Sequence, residues 1–416
     1  MNKAETAQAA HAPTPQPAGA NEAPLMHNYA APPLTIVRGS GVEVFDDQGR
    51  RYLDFIGGIA VAATGHCHPA VVAAIASQAG TLIHISNLYG IEPQRALARR
   101  LTAKAGPEFR AFFCNSGAEA NEAAIKLARK WGHAHGVGQG TVITADHSFH
   151  GRTLATLAAT AQPKYQKGFE PLPSGFRHFP FNDIAALEEA LTPDVTAVLL
   201  EPIQGEAGVH VPDIGYLRRV REVCDRAGVL LILDEVQTGC GRTGRFFAYE
   251  HEGVKPDIVT LAKALGSGVP IGACLARADV AEAFQPGSHG STFGGNPLSS
   301  AAALATLDVI DGERLVERAS VVGQHLVVEL EALRALDPRI KEIRGRGLLI
   351  GIEFTDPIAK DLVKAMLPLG ILGNATSEHV LRLAPPLILT EKQANAYAAA
   401  LKHALALAPT LKSSTC

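Results

Sequence analysis

Six short apolar runs, at 111–114, 141–144, 195–200, 229–233, 258–261 and 272–275, alternate with stretches of helical periodicity. No other feature constrains the fold as much. Strands that are apolar on both faces need cover on both sides. The helices between them supply it, so the expected core is a mostly parallel sheet between helical layers. At 416 residues the chain exceeds what one ordinary core holds. Alternation in Gly41–Phe55, broken at Asp47-Gln-Gly49, predicts a hairpin. Beyond about residue 320 a long helix expected at 321–336 leads into segments starting at Ile340 and Leu348, as in a smaller α+β unit. The expected architecture is therefore α/β. Residues 85–320 form a large domain, 26–84 and 321–410 form two parts of a small one, and the Ala-, Pro- and Gln-rich segment 1–25 is a disordered tail.

A net charge of −3 offers no basic face for nucleic acid or an anionic membrane. No apolar run approaches the length of a membrane span. The tail has no apolar stretch of the kind a secretory signal needs. Six scattered cysteines, at 67, 114, 224, 240, 274 and 416, form no C-x-x-C pair and read as free thiols of a reducing, cytoplasmic compartment.

Two of the apolar runs lead to charged side chains. Asp234 follows the run 229–233, and Lys263 follows 258–261 just ahead of Gly266-Ser-Gly268. A strand-end amine and a neighbouring strand-end carboxylate suit pyridoxal phosphate (PLP). The amine forms a Schiff base with the cofactor aldehyde, and the acid keeps the ring nitrogen protonated so that the ring serves as an electron sink. Taken alone, Lys263 could equally be a surface charge. A third element, Asn115-Ser-Gly-Ala-Glu-Ala-Asn-Glu122, runs from strand to helix, and the free amides after Ser116 form a candidate phosphate seat. The plainer alternative is a serine-capped turn. Glu122 and Lys126 are spaced for an i,i+4 ion pair. In His147-Ser-Phe-His-Gly-Arg-Thr153, Phe149 could stack on a planar ring and Arg152 could clamp a carboxylate, unless this is only a surface loop. Neither Asp146, His147 and His150 nor His66 and His68 completes a metal ligand set, so no metal is expected.

Gly239-Cys-Gly-Arg-Thr-Gly244 is formally a dinucleotide fingerprint. Such a motif should open a helix and lead to an acid closing the next strand. Here Asp234-Glu235 precedes the glycines, and Gly253 and Pro256 soon follow, which disfavours a nicotinamide dehydrogenase.

The chain resembles the class III, or ω-type, aminotransferases, and within them the acetylornithine branch, from about Asn28 to Ala408. The resemblance lies in Asp54-Phe-Ile-Gly-Gly-Ile-Ala-Val61, Gly65-His-Cys-His-Pro69, His84-Ile-Ser-Asn-Leu-Tyr89, Asn115–Glu122, Glu201-Pro-Ile-Gln-Gly-Glu-Ala-Gly208, Asp234-Glu-Val-Gln-Thr-Gly239 and Gly287-Ser-His-Gly-Ser-Thr-Phe-Gly-Gly-Asn-Pro297. It implies a fold-type I PLP enzyme, a homodimer with active sites at the interface. Lys263 would be the Schiff-base lysine and Asp234 the pyridine-nitrogen partner. Phe149 would stack on the ring, with Val236 and Gln237 lining it. Ser116, Gly117 and Ala118 would hold the phosphate, and Thr292 would reach the neighbouring subunit's cofactor phosphate. Arg152 would bind the remote substrate carboxylate, with Tyr29 and Ser291 as further substrate contacts.

The reaction implied is ping-pong, moving the terminal amine of N2-acetyl-L-ornithine to 2-oxoglutarate. An arginine at the reacting carbon suits only the keto acid, so a movable Glu206–Arg382 pair is expected, unless the two form an ordinary interdomain salt bridge. Ile59 stands where related ornithine enzymes carry tyrosine, which weakens plain ornithine as substrate. Succinylornithine, N-succinyl-diaminopimelate and 4-aminobutyrate remain alternatives, as does a catalytically silent PLP-binding protein.

Overall fold

The computed structural model describes residues 25–411. The expected tail, but for Leu25, and Cys416 lie outside them. At the centre is a seven-stranded sheet in the order Phe109–Cys114, Gly272–Arg277, Ile258–Leu261, Leu230–Asp234, Val195–Leu200, Thr141–Ala145, Phe176–Phe179. Gly272–Arg277 runs antiparallel to both its neighbours, and the remaining pairs are parallel. All six expected strands are present, three of them extended at an end and the one expected at 229–233 shifted by a residue to Leu230–Asp234. The seventh, Phe-Arg-His-Phe at 176–179, escapes sequence patterning because it is a short edge strand whose central residues are charged or polar. Val195–Leu200 and Leu230–Asp234 are buried throughout, as central strands covered on both faces must be.

Two smaller sheets flank this core. In one, Ile36–Ser40, Glu43–Asp46 and Arg51–Asp54 form an antiparallel meander, and the last strand pairs in parallel with Ile371–Leu372. Asp46 stabilises the expected hairpin turn by accepting bonds from the Gln48 and Arg50 amides at 3.0 and 2.8 Å. In the other, Ile340–Arg346, Leu349–Phe354, Val380–Leu383 and Asn374–Ala375 are antiparallel. The long helix spans Leu315–Arg334 and so begins earlier than expected. Its N-cap, Arg314, is left-handed and makes no side-chain cap bond, so no capping residue signals the start.

No helix opens at Gly239–Gly244, which forms consecutive turns. Its glycines serve close packing: a Cβ on Gly239 would meet Leu261 Cδ2 at 2.6 Å and the Glu235 carbonyl oxygen at 2.7 Å. Among the described residues no helix is long and apolar enough to cross a membrane. Cys114, Cys224, Cys240 and Cys274 are buried free thiols, and Cys67 is exposed.

Candidate active site

Parallel strands end together, and ligands in open α/β sheets gather at those carboxyl ends. Here a cavity of about 430 Å³ opens there, lined by Ser116, Phe149, Glu201, Glu206, Asp234 and Lys263 among others.

Asp234 is the last residue of its strand and is 4% exposed. Three donors fix it. Asn121 Nδ2 and His150 Nδ1 lie 2.7 and 2.8 Å from Oδ2, and the Val236 amide donates to Oδ1 at 3.0 Å. Asn121 is itself oriented, accepting from Thr260 Oγ1 at 2.8 Å and donating to the His150 carbonyl at 2.8 Å. Lys263 stands two residues beyond Leu261 with φ of 44°, a left-handed conformation that costs energy outside glycine. Burial pushes its amine down. Glu206, Asp234 and Glu201 oppose that shift, while Arg382 adds to it.

The helix Gly117–Ala134 starts beneath this pair. Ser116 caps it, accepting from the Glu119 amide at 3.2 Å, so the amides of Gly117 and Ala118 are left at the cavity with the positive end of the dipole. A Cβ on Gly117 would lie 2.7 Å from Val236 Cγ1, so only glycine allows this approach. Phe149 also lines the cavity, its backbone N–H donating a hydrogen bond to Glu201 Oε2 at 3.0 Å. Arg152 stands at the rim, its guanidinium 4.0 Å from the Tyr165 ring centroid and 5.5 Å from that of Phe149. The expected Glu122–Lys126 pair is not formed. Glu122 instead accepts from Thr153 Oγ1 at 2.5 Å, and Lys126 meets His289 Nδ1 at 2.7 Å, so partners from other segments win over the helical neighbour.

Glu206, which lines the cavity, forms an ion pair with Arg382. Gln237 bridges them, donating to Glu206 Oε1 at 2.9 Å and accepting from Arg382 Nη1 at 3.2 Å. Arg382 Nη2 also donates to Asn374 Oδ1 at 2.9 Å. Burial works against the Glu206 charge, but Arg382, Lys263 and the two donated hydrogen bonds outweigh it and hold the carboxyl below its ordinary value.

The cavity lining thus gathers Ser116, Gly117, Ala118, Phe149, Arg152, Glu206, Asp234, Val236, Gln237 and Lys263 from distant points in the sequence. Arg382 reaches it through Glu206. Ser291 lies just outside, its hydroxyl accepting from Asn115 Nδ2 at 3.3 Å and from the Gly294 amide at 2.9 Å. Thr292 and Tyr29 are exposed and outside the lining. Three of the four histidines considered as metal ligands face carboxylates: His150 faces Asp234, His66 faces Asp54 at 2.8 Å, and His68 faces Glu313 at 3.0 Å.

Sequence reasoning misses three residues of the site. Glu201 ends an apolar run as Asp234 does, so the same signal marks it. Burial, with Asp234 nearby, pushes its carboxyl well above the usual carboxylate range. Asn121 is a polar residue on the buried face of an alanine-rich helix. His150 reads in the sequence only as a possible metal ligand.

The residues present fit PLP. The helix start suits its phosphate, Val236 and Phe149 offer faces for a flat ring, and Asp234 and Lys263 supply the acid and the amine. The class-III aminotransferase family profile matches residues 25–405. An acetylornithine aminotransferase of Methanocaldococcus jannaschii is 53% identical over 88% of this chain and 92% of the relative. One of Mycolicibacterium smegmatis is 51% identical over 92% and 96%. Among solved structures, an ornithine aminotransferase of Toxoplasma gondii superposes with a TM-score of 0.88 at 40% identity, covering 92% of this chain and 93% of that one.

Proposed function

The chain belongs to the class-III aminotransferases, fold-type I enzymes that use pyridoxal 5'-phosphate, and on that premise we propose that it moves the terminal amino group of N2-acetyl-L-ornithine to 2-oxoglutarate. The products are N-acetyl-L-glutamate 5-semialdehyde and L-glutamate, a step of arginine biosynthesis. The observation that carries this reading is the ion pair of Arg382 with Glu206, which lines the cavity that holds Lys263. The names of the relatives at 51% and 53% identity favour the acylated ornithine.

When bound, the cofactor supplies an aldehyde that takes the Lys263 amine and a protonated ring that accepts the electron pair released at the substrate carbon. Asp234, clamped by Asn121, His150 and the Val236 amide, would keep the proton on the ring nitrogen. Ser116, Gly117 and Ala118 would hold the phosphate, and Phe149, Val236 and Gln237 would hold the ring. With that group in place, Lys263 Nζ would be the base that takes the proton from the substrate's reacting carbon. Burial lowers this amine's proton affinity and keeps it competent as a base. Arg152 binds the carboxylate remote from the reacting amine, with Ser291 and Tyr29 as supplementary contacts. In the amine half-reaction Glu206 covers Arg382. In the keto-acid half-reaction Glu206 withdraws and Arg382 binds the carboxylate beside the carbonyl.

We further propose a homodimer in which Thr292 reaches the partner's cofactor phosphate. Support comes from the exposed Ile83, Leu88, Tyr89 and Phe293, with the Phe293 ring 5.2 Å from that of His84. Free thiols favour a cytoplasmic location.

A substrate panel tests the reading. With 2-oxoglutarate as acceptor, kcat/KM for N-acetylornithine is expected to exceed that for 4-aminobutyrate by about a hundredfold, the scale of discrimination that pocket fit supplies. Equal turnover of N-acetylornithine and 4-aminobutyrate would overturn the substrate assignment.

A further inference from the structure

Two arginines outside the cavity lining grip carbonyl oxygens on either side of the seam that the Glu206–Arg382 pair spans. Arg344, on strand Ile340–Arg346, donates through Nε to the Gly208 and Val209 carbonyls at 3.1 Å each and through Nη2 to Gly208 at 2.8 Å. Arg242, from the glycine-rich segment 239–244, is fully buried and donates through Nη1 to the Leu348 carbonyl at 3.2 Å and to that of Pro385. Gly208 and Val209 follow Glu206 closely in the chain, and Pro385 follows Arg382. Each arginine therefore holds the backbone beside one member of the pair.

The backbones so held are closely matched. Gln204 and His210 close the turn bearing Glu206 with reciprocal amide–carbonyl bonds of 3.1 and 3.0 Å. Within it, buried Val209 has φ of 57°, a conformation that a β-branched residue keeps only when its surroundings impose it. Gly351 faces Arg382 across the strand pair, and a Cβ there would lie 2.9 Å from the Gly208 carbonyl oxygen and 3.0 Å from Val209 Cβ. Arg344 is itself steadied by Glu342 at 2.7 Å and by Glu353. The planar guanidinium fork suits such a grip on paired acceptors.

We propose that Arg344 and Arg242 are positioning residues that pin the backbones carrying Glu206 and Arg382, so that passing between half-reactions is a movement of side chains alone. Arg344 sets where Glu206 closes, and Arg242 sets where Arg382 stands. This rests on the switching role given to the pair above. The glycine-rich segment thereby gains a role, since its turns deliver Arg242 to the seam.

The two half-reactions, followed separately in single turnovers of the cofactor-loaded enzyme, test the proposal. Arg344→Gln is expected to lower the amine half-reaction about tenfold and the keto-acid half-reaction much less, since Glu206 no longer covers Arg382 reliably. Gly351→Ala, which pushes on the Glu206 turn without removing charge, is expected to do the same. Arg242→Lys is expected to show the opposite split. In Arg344→Gln, hydrogen exchange at the Gln204 and His210 amides should quicken, a readout independent of turnover. If Arg242→Lys does not fold, the other two variants decide. Equal proportional losses in both half-reactions, or none, would overturn the clamp. Arg382→Gln serves as the control, expected to slow the keto-acid half-reaction far more than the amine one. Without that split the pair itself lacks its role; with it, and with no selectivity in the clamp variants, only the clamp is lost.

Discussion

Lys263 and Asp234 can be found in the sequence because each follows an apolar run and the two occur together with a strand-to-helix phosphate-seat motif; Lys263 alone could equally be a surface charge. Their supports cannot. Asn121 and Thr260 sit 139 residues apart and meet only in the folded chain. Nothing local marks an asparagine as the residue that aims an aspartate. The supports still carry measurable weight. Asn121→Ala removes one of two donors to Asp234 Oδ2, a charge-assisted bond worth about 1.5–3 kcal/mol. If that bond strengthens in the transition state, kcat falls about tenfold to a hundredfold, and steady-state kinetics on the loaded enzyme check it. Lys263→Ala is expected to lose about three orders of magnitude or more in turnover, the scale of a general acid–base group. Borohydride should then no longer fix the cofactor to the protein, as judged by intact mass.

Among the elements, covered strands are the most legible. Val195–Leu200 and Ile258–Leu261 have the bounds expected, because burial on both faces leaves a continuous apolar run. The edge strand Phe176–Phe179 and the start of the helix at Leu315 depend on neighbours and an unusual cap, which sequence periodicity does not record. The helix start at the phosphate seat is sterically exacting. Gly117→Ala drives a methyl group into Val236, and overpacking of about 1–3 kcal/mol should weaken cofactor binding about fivefold to a hundredfold in a titration. Next to Asp234, burial pushes the Glu235 carboxyl up to about 7, against the bonds from Thr238 and the Tyr249 amide. Its folded value lies above its ordinary 4.5, so the folded state binds more protons between those values. Its contribution to stability is present in full below pH 4.5 and is lost as the pH rises through about 7. Glu235→Gln should therefore gain stability relative to the wild type between pH 5 and pH 8, by up to about 3 kcal/mol in denaturant titrations.

At the scale of the whole molecule, composition and alternation predict an α/β core, and the family and fold comparisons agree with it. The proposed dimer is less legible, because a surface that would close only against a second copy looks in one chain like scattered exposed apolar residues. Leu88 is 86% and Tyr89 66% exposed, close to the loop carrying Thr292. A dimer of standard interface size should appear in sedimentation, and Leu88→Glu combined with Tyr89→Glu should shift it to monomer with loss of cofactor affinity. The proposed function turns on whether one cavity accepts an amine without a carboxylate at its reacting carbon and then a keto acid with one. The most direct measurement is the visible spectrum of the PLP-loaded protein, titrated first with N-acetylornithine and then with 2-oxoglutarate. The cofactor's visible band is expected to disappear with the first and return with the second, with glutamate formed in equal amount to the cofactor sites. A band that N-acetylornithine leaves unchanged, while 4-aminobutyrate removes it, would refute the proposed function.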